Sequence, residues 1–310
     1  MKRLTLILTI LVAAASCTQL AADAPKRQGW DNKTPLYGNV ESVTITSYSL
    51  KDSFGVLSCS KIKEKICYNF NESGDVTERA EYGSDGSLKK RYTYKYDTKG
   101  NNTEEAEYTS DGSLIWKDIY KYDTKGNKTE EASYNSDGSL DKKWIYKYDS
   151  KGNVTEKASY NSDGSLLLKY IYKYDTKGNK TEEAKYDSDG SLWYKYIYKY
   201  DTKGNKTEDA YYTSAGSLSK KYTYKYDSKG NVTEEAWYTD GSLDYKWIYK
   251  YDTNGNKTEE AEYTSAGSLR RKEIYKYKYD SKGNIAEATE YYGEMQKPKS
   301  QTVLTIIYRK

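Results

Sequence analysis

The chain is predicted to be all-β: an elongated antiparallel β-hairpin repeat, a meander sheet that is either a single layer or rolled. Three observations predict it. A Tyr-Asp-x-x-Gly-Asn unit recurs at a nearly constant period. The segments between its copies alternate with period two, and both connections within each unit carry turn residues.

The repeat comes first because it sets the boundaries. Its Asp falls at Asp97, Asp123, Asp149, Asp175, Asp201, Asp227, Asp252 and Asp280, at intervals of 26 five times, then 25, then 28. A decayed copy, Phe70-Asn71-Glu72-Ser73-Gly74-Asp75, lies one period before Asp97. Residues 69–292 therefore read as one repetitive domain of β-hairpins. Residues 35–68 are expected to cap one end and residues 293–310 the other, with Val303 to Tyr308 as a closing strand, because open sheet edges invite aggregation.

Within a unit, Leu114, Trp116, Asp118, Tyr120 and Tyr122 point one way, and Ile115, Lys117, Ile119 and Lys121 the other. Lys128 to Tyr134 is the returning strand. It contains helix formers, but seven residues between two turns are too few for a stable helix. Asp123-Thr124-Lys125-Gly126 and Asn135-Ser136-Asp137-Gly138 each suit a type I turn followed by a left-handed Gly. The 25-residue unit has lost one residue at Thr239-Asp240-Gly241-Ser242 and should carry a two-residue type I′ loop.

Pairing follows from the turns. If Asp97 faces Asn101, then Tyr94 faces Glu104 and Tyr92 faces Ala106. If Thr109 faces Ser113, then Glu105 faces Lys117. The same rule pairs Glu131 with Lys143, Glu183 with Lys195, Asp209 with Lys221 and Glu260 with Lys272, and sets Lys157 against Lys169. One face would carry the tyrosines with Ala-x-Tyr, and the other a Lys-Ile/Thr-Lys row beside Thr and Glu.

The Tyr-Asp and Gly-Asn pairs within these hairpins, over roughly residues 68 to 285, resemble the YD repeats of the Rhs family. That resemblance implies long β-hairpin sheets that coil into shells, as in bacterial toxins and teneurins. A shell element of an Rhs-like toxin system is accordingly one functional expectation.

The first seventeen residues read as an address. Met1-Lys2-Arg3 is basic, Leu4 to Val12 is apolar apart from Thr5 and Thr9, and Ala13-Ala14-Ala15-Ser16-Cys17 follows. This arrangement resembles the lipobox of bacterial lipoproteins, which implies that residues 1–17 hold a lipoprotein signal and that Cys17 is the lipid attachment site. Thr18 stands where an Asp would favour inner-membrane retention, so the resemblance implies the outer membrane or cell surface. Residues 18–34 are a polar tether. Loss of Lys2 and Arg3 from the 50 basic residues leaves 48 against 46 acidic ones, so nothing in the charge suggests nucleic acid.

Composition narrows the chemistry. There is no His among 310 residues, which excludes His-based zinc sites and Ser-His-Asp triads, and Tyr occurs 38 times. The Asp turns lack the Gly and Glu spacing of an EF-hand. Asn127-Lys128-Thr129 matches a glycosylation sequon but reads as a turn. Glu130 and Glu131 alternate faces, so they form no catalytic carboxylate pair. A disulfide between Cys59 and Cys67 is conceivable in an oxidising compartment, but placed in a turn and mid-strand they would lie roughly 26 Å apart on an extended chain, beyond disulfide reach unless the chain folds back. A membrane-spanning barrel would put in lipid either the face with Lys121, Lys147, Lys173 and Lys199 or the face rich in Glu such as Glu130 and Glu182.

No enzyme site, cofactor or metal is therefore expected. The tyrosine rows, as Tyr146, Tyr148, Tyr172, Tyr174, Tyr198 and Tyr200, are candidates for stacking on a ligand, with packing as the alternative. The leading expectation is a lipid-anchored, non-enzymatic envelope scaffold whose partners are the membrane and a glycan or protein at the cell surface. A glycan- or cell-wall-binding module is the alternative.

Overall fold

A computed structural model describes residues 36–53, 56–293 and 297–309, all as strands and turns. The signal at 1–17 and the tether at 18–34 lie outside the described residues. Lys128–Asn135 and its equivalents are strands, as the short return segment requires. Twenty strands form one antiparallel sheet.

The chain divides into two compact units. One holds Lys89–Lys225 and Glu235–Lys246 and contains a continuous run of hairpins. Its strands are β4 (Leu88–Tyr96), β5 (Asn102–Thr109), β6 (Leu114–Tyr122), β7 (Lys128–Asn135), β8 (Leu140–Tyr148), β9 (Val154–Asn161), β10 (Leu166–Tyr174), β11 (Lys180–Asp187), β12 (Leu192–Tyr200), β13 (Lys206–Thr213) and β14 (Leu218–Tyr226). Each pairs with the next in sequence. β15 (Val232–Thr239) and β16 (Ser242–Tyr251) follow.

The other unit holds the described residues up to Leu88, Tyr226–Glu234, and those from Trp247 on. It contains β1 (Val40–Ser53), β2 (Val56–Phe70) and β3 (Val76–Tyr82), with β17 (Lys257–Thr264), β18 (Leu269–Tyr279), β19 (Ile285–Tyr292) and β20 (Lys297–Tyr308). β20 pairs with β19 on one side and with β1 on the other. The last strand thus covers the edge of the first, and the meander closes with the strand topology of a β-barrel. The terminal segments expected to cap opposite ends instead cap each other.

Burial differs between the units. Val40, Val43, Ile66, Phe70, Val76, Ile285 and Leu304 make an apolar core around the terminal strands. In the hairpin run the fully buried apolar positions are alanines, such as Ala106, Ala132, Ala158, Ala184 and Ala210. Each lies on a face of long side chains that close over it: Ala132 sits between Ile119 and Lys143.

The expected pairing is wrong by one residue, for a physical reason. Tyr122 pairs with Lys128 but Lys121 with Glu130, so Thr129 is an extra, bulged residue. At the other end Tyr160 pairs with Leu166 but Ser159 with Leu168, which leaves Leu167 bulged, and Trp193 is its equivalent on β12. Side chains alternate, so a one-residue slip changes the face. Glu131 therefore faces Tyr120 and Trp144, and Lys143 faces Ala132. Likewise Glu183 faces Tyr196, Asp209 faces Tyr222 and Glu260 faces Glu273. Lys157 faces Tyr146 and Tyr170, so the expected clash with Lys169 does not arise.

One face consequently carries a ladder of ion pairs: Lys95–Glu104, Lys121–Glu130, Lys147–Glu156, Lys173–Glu182 and Lys199–Glu208, at 2.8–2.9 Å. The lysines are mostly exposed, so solvent screening leaves each pair little net contribution. The other face carries the tyrosines together with Glu, Asp and Lys.

Candidate binding face

The recurring motif is consumed by the fold. Asp123 Oδ1 accepts the backbone N–H groups of Lys125 and Asn127, and Oδ2 accepts the Asn127 amide at 2.8 Å. Gly126, at φ 87°, supplies the left-handed residue and donates back to the Asp123 carbonyl. The same contacts recur at Asp97, Asp149, Asp175, Asp201 and Asp227. These hydrogen bonds, the Asn side chain foremost, hold the Asp123 carboxyl below its ordinary pKa. Among the described residues no group of three or more Asp, Glu or Cys could hold a metal ion.

The tyrosine of the motif joins one repeat to the previous one. The hydroxyls of Tyr148, Tyr174 and Tyr200 donate to the backbone carbonyls of Lys128, Val154 and Lys180 at 2.6–2.8 Å. These three are therefore tied into the sheet through their tips. Tyr146, Tyr172 and Tyr198 lie one step inward, beside carboxylates and ammonium groups. Tyr146 donates to Glu131 at 2.9 Å, and Lys180 lies over the rings of both Tyr172 and Tyr198. Burial first, and then the carboxylates of Glu131 and Glu183, push these three phenols far above their ordinary pKa.

Beyond them runs a band of rings that sequence reasoning missed. Trp144 and Tyr170 have centroids 6.2 Å apart, Tyr194 and Tyr196 5.6 Å, Tyr196 and Tyr211 5.2 Å, and Tyr222 and Trp237 4.8 Å. Trp237 in turn meets Tyr245 at 4.6 Å. Trp193, on its bulge, is 57% exposed, and the Lys185 ammonium lies 3.7 Å from its ring centroid.

The signal for this band is departure from the repeat. Four return strands carry Lys-x-x-Glu or Lys-x-x-Asp on this face, and the two side chains pair at 2.6–2.7 Å in Lys128–Glu131, Lys180–Glu183, Lys206–Asp209 and Lys257–Glu260. β9 has Val154 and Lys157 at those positions. The Lys157 ammonium lies 4.1 Å from the Trp144 ring centroid and has no carboxylate partner among the described residues. Burial lowers its pKa, against the attraction of Glu131. Across β8 to β12 the row reads Tyr146, Lys157, Tyr170, Lys185, Tyr194, ring alternating with ammonium.

A cavity of about 330 Å³ opens over β6, β7 and β8, lined in part by Trp116, Asp118, Ser133 and Lys142. Burial raises the Asp118 carboxyl's pKa, with the Ser133 hydrogen bond opposing it. Cys59 and Cys67 are both free and both on β2, so Cys59 lies in the strand rather than in the turn expected for it. Cys17 lies outside the described residues.

Fold and face together define an all-β, closed hairpin meander with one ion-paired and one aromatic side. No family model matches the chain, and no curated protein matches it. Among solved structures, a porin-like protein from Bacteroides uniformis is similar at 10% identity over 86% of this chain and 98% of that one, with a TM-score of 0.38. A porin-like protein from Bacteroides vulgatus covers the same shares at 10% identity and a TM-score of 0.30. The TcdB2-TccC3-Cdc42 structure is similar at 13% identity over 90% of this chain, with a TM-score of 0.35, and this chain spans 18% of its length. At such scores the likeness carries no functional weight.

Proposed function

We propose that the chain is a non-enzymatic, lipid-anchored repeat scaffold of the bacterial cell envelope that binds a macromolecule through its aromatic face. One observation carries this reading. The polar groups of the repeat are spent on turns and on joining neighbouring repeats, whereas the band from Trp144 to Tyr211 combines half-buried rings with two ammonium groups that no carboxylate among the described residues pairs. Rings with wet edges suit a partner that brings both apolar faces and polar groups. A glycan- or cell-wall-binding role rests on the same band. A shell role in a toxin system rests only on the resemblance of the repeat.

The anchor supports envelope attachment rather than a spanning barrel. A barrel in lipid needs an apolar outer band. Here one face bears the Lys–Glu ladder and the other bears Glu131, Glu183 and Asp209. Attachment then falls to Cys17, since a multiply acylated Cys holds a polar body at a membrane.

Two assays test the halves of this proposal. Replacing Cys17 by Ser should move the chain from the membrane to the soluble envelope fraction and abolish labelling by a fatty-acid analogue. Unchanged membrane association without label would refute the anchor. A glycan array and an envelope-protein overlay, each with wild type and with Lys157→Ala/Lys185→Ala, test the face; binding that ignores the double substitution would refute its role.

A further inference from the structure

The tyrosine face separates its rings almost everywhere. Going across the strands, Lys157 stands between Tyr146 and Tyr170, and Lys185 between Tyr170 and Tyr194. Glu183 stands between Tyr172 and Tyr196, and Asp209 between Tyr198 and Tyr222. Phenol tips are tied as well, as in Tyr146 to Glu131 and Tyr224 to Asp209, both at 2.9 Å.

β13 departs from that arrangement. Where the return strands carry Glu107, Ser133, Ser159 and Lys185, it carries Tyr211. Tyr211 lies directly opposite Tyr196 on β12, so tyrosine faces tyrosine with nothing between. Their centroids are 5.2 Å apart at 61°, and Tyr194 is 5.6 Å from the same Tyr211 ring. On β12 itself Tyr196 and Tyr198 stack in parallel at 6.0 Å, which keeps their ring edges apart, whereas Tyr194 meets Tyr196 edge-on at 5.6 Å. An edge-on pair instead brings the ring positions beside one hydroxyl toward the other ring. All three rings are half-buried and thus within reach of a diffusing oxidant.

A carboxylate lies on the same face. Asp209, two residues before Tyr211 and on the same face, has a buried Oδ1 with no hydrogen-bond partner. Its charge is among those that act on the Tyr196 phenol.

We propose that Tyr196 and Tyr211 are an oxidative cross-linking site, at which a dityrosine bond joins β12 to β13. A peroxidase using hydrogen peroxide takes one electron from each phenol, and each phenol gives up its proton. The two phenoxyl radicals form one carbon–carbon bond between positions ortho to the hydroxyls. The ring hydrogens at those positions then move to oxygen and restore both phenols. In balance, two tyrosines and one hydrogen peroxide yield one dityrosine and two waters. The bond covalently closes the hairpin around residues 201–205 in a sheet whose repeats are otherwise joined by hydrogen bonds and ion pairs. This modification is independent of the anchor and of any ligand.

The test oxidises the full chain at low concentration with horseradish peroxidase and hydrogen peroxide, then maps tryptic peptides. The expected product links residues 196–199 to residues 207–220 within one chain and carries dityrosine fluorescence. Tyr211→Phe should abolish that linked peptide. Tyr212→Phe lies in the same peptide but on the opposite face and should leave it in place. A linked peptide that survives Tyr211→Phe, one lost equally in Tyr212→Phe, or dityrosine found only between chains would each overturn the proposal.

Discussion

At the scale of single residues, side chains that repeat exist to join one hairpin to the next, and those that break the repeat are free for other work. Tyr174 illustrates the first kind, because its hydroxyl donates to the Val154 carbonyl at 2.8 Å. Tyr174→Phe removes one partly buried hydrogen bond and leaves a carbonyl short of its donor, so stability should fall by about 1 kcal/mol, read from a urea melt. Ser159 illustrates the opposite case. It is fully buried between Trp144 and Leu168, and its hydroxyl has no partner among the described residues. Ser159→Ala should raise stability by about 1 kcal/mol in the same melt, and a loss would mean that the hydroxyl is satisfied. The turn roles of Asp123, Gly126 and Asn127 were legible in sequence because every contact is made within five residues. The bulges at Thr129, Leu167 and Trp193 were not: an alternating sequence reads the same with or without an extra residue, and only the partner strand reveals the slip. That slip is why Lys121 pairs across the strands with Glu130, while Glu131 pairs with Lys128 along its own strand.

At the scale of elements, the strands that close the sheet carry a buried charge network. Glu273 on β18 is 1% exposed and receives hydrogen bonds from Arg271, Tyr275 and Lys299, while Lys299 also bonds Glu290 at 2.6 Å. Burial alone would raise the Glu273 carboxyl, but the hydrogen bonds from Arg271, Tyr275 and Lys299 outweigh it and hold the pKa at about 2. A depressed carboxyl stabilises the fold above its ordinary 4.5, and that contribution is lost as pH falls from there toward 2. Glu290 acts in the opposite sense, since burial raises its pKa. Glu273→Gln should therefore cost about 3 kcal/mol at neutral pH. The gap to wild type should close as the melt is repeated at pH values approaching 2, and a pH-independent gap would show that the charge of Glu273 is not what matters. The sequence showed Glu273 only as one more residue of a strand, because Lys299 and Glu290 lie far along the chain.

At the scale of the whole molecule, the all-β hairpin repeat was legible from period and turns alone, but closure was not. Nothing within a repeat states where the first and last strands go, and it is the non-repeating ends that meet. There Asn284, 1% exposed, binds the backbone of Tyr37 and the hydroxyl of Tyr308, so both ends of the described chain dock on one turn. Tyrosines also set the alkaline limit. Burial foremost raises the phenols of Tyr251 and Tyr308 to about 12, and those of Tyr146 and Tyr275 higher, against an ordinary value of 10.0. A raised phenol contributes stability that is complete below about pH 10 and is lost as pH rises beyond it. Tyrosinate absorption from these four phenols should accordingly appear together with loss of the β-sheet circular dichroism signal; complete titration of every phenol near the ordinary value with the sheet intact would contradict the burial. The most direct test of the account is the pairing of β1 with β20. Ser47 lies opposite Thr302, with their hydroxyl oxygens 3.4 Å apart. In a chain whose Cys59 and Cys67 are serine, Ser47→Cys/Thr302→Cys should form a disulfide under mild oxidation, because directly opposed strand residues fall within disulfide reach. The out-of-register pair Ser47→Cys/Ser300→Cys should not. A linked peptide for the first pair and none for the second is the result the closed meander predicts, and no link in the first pair, or equal links in both, would contradict it.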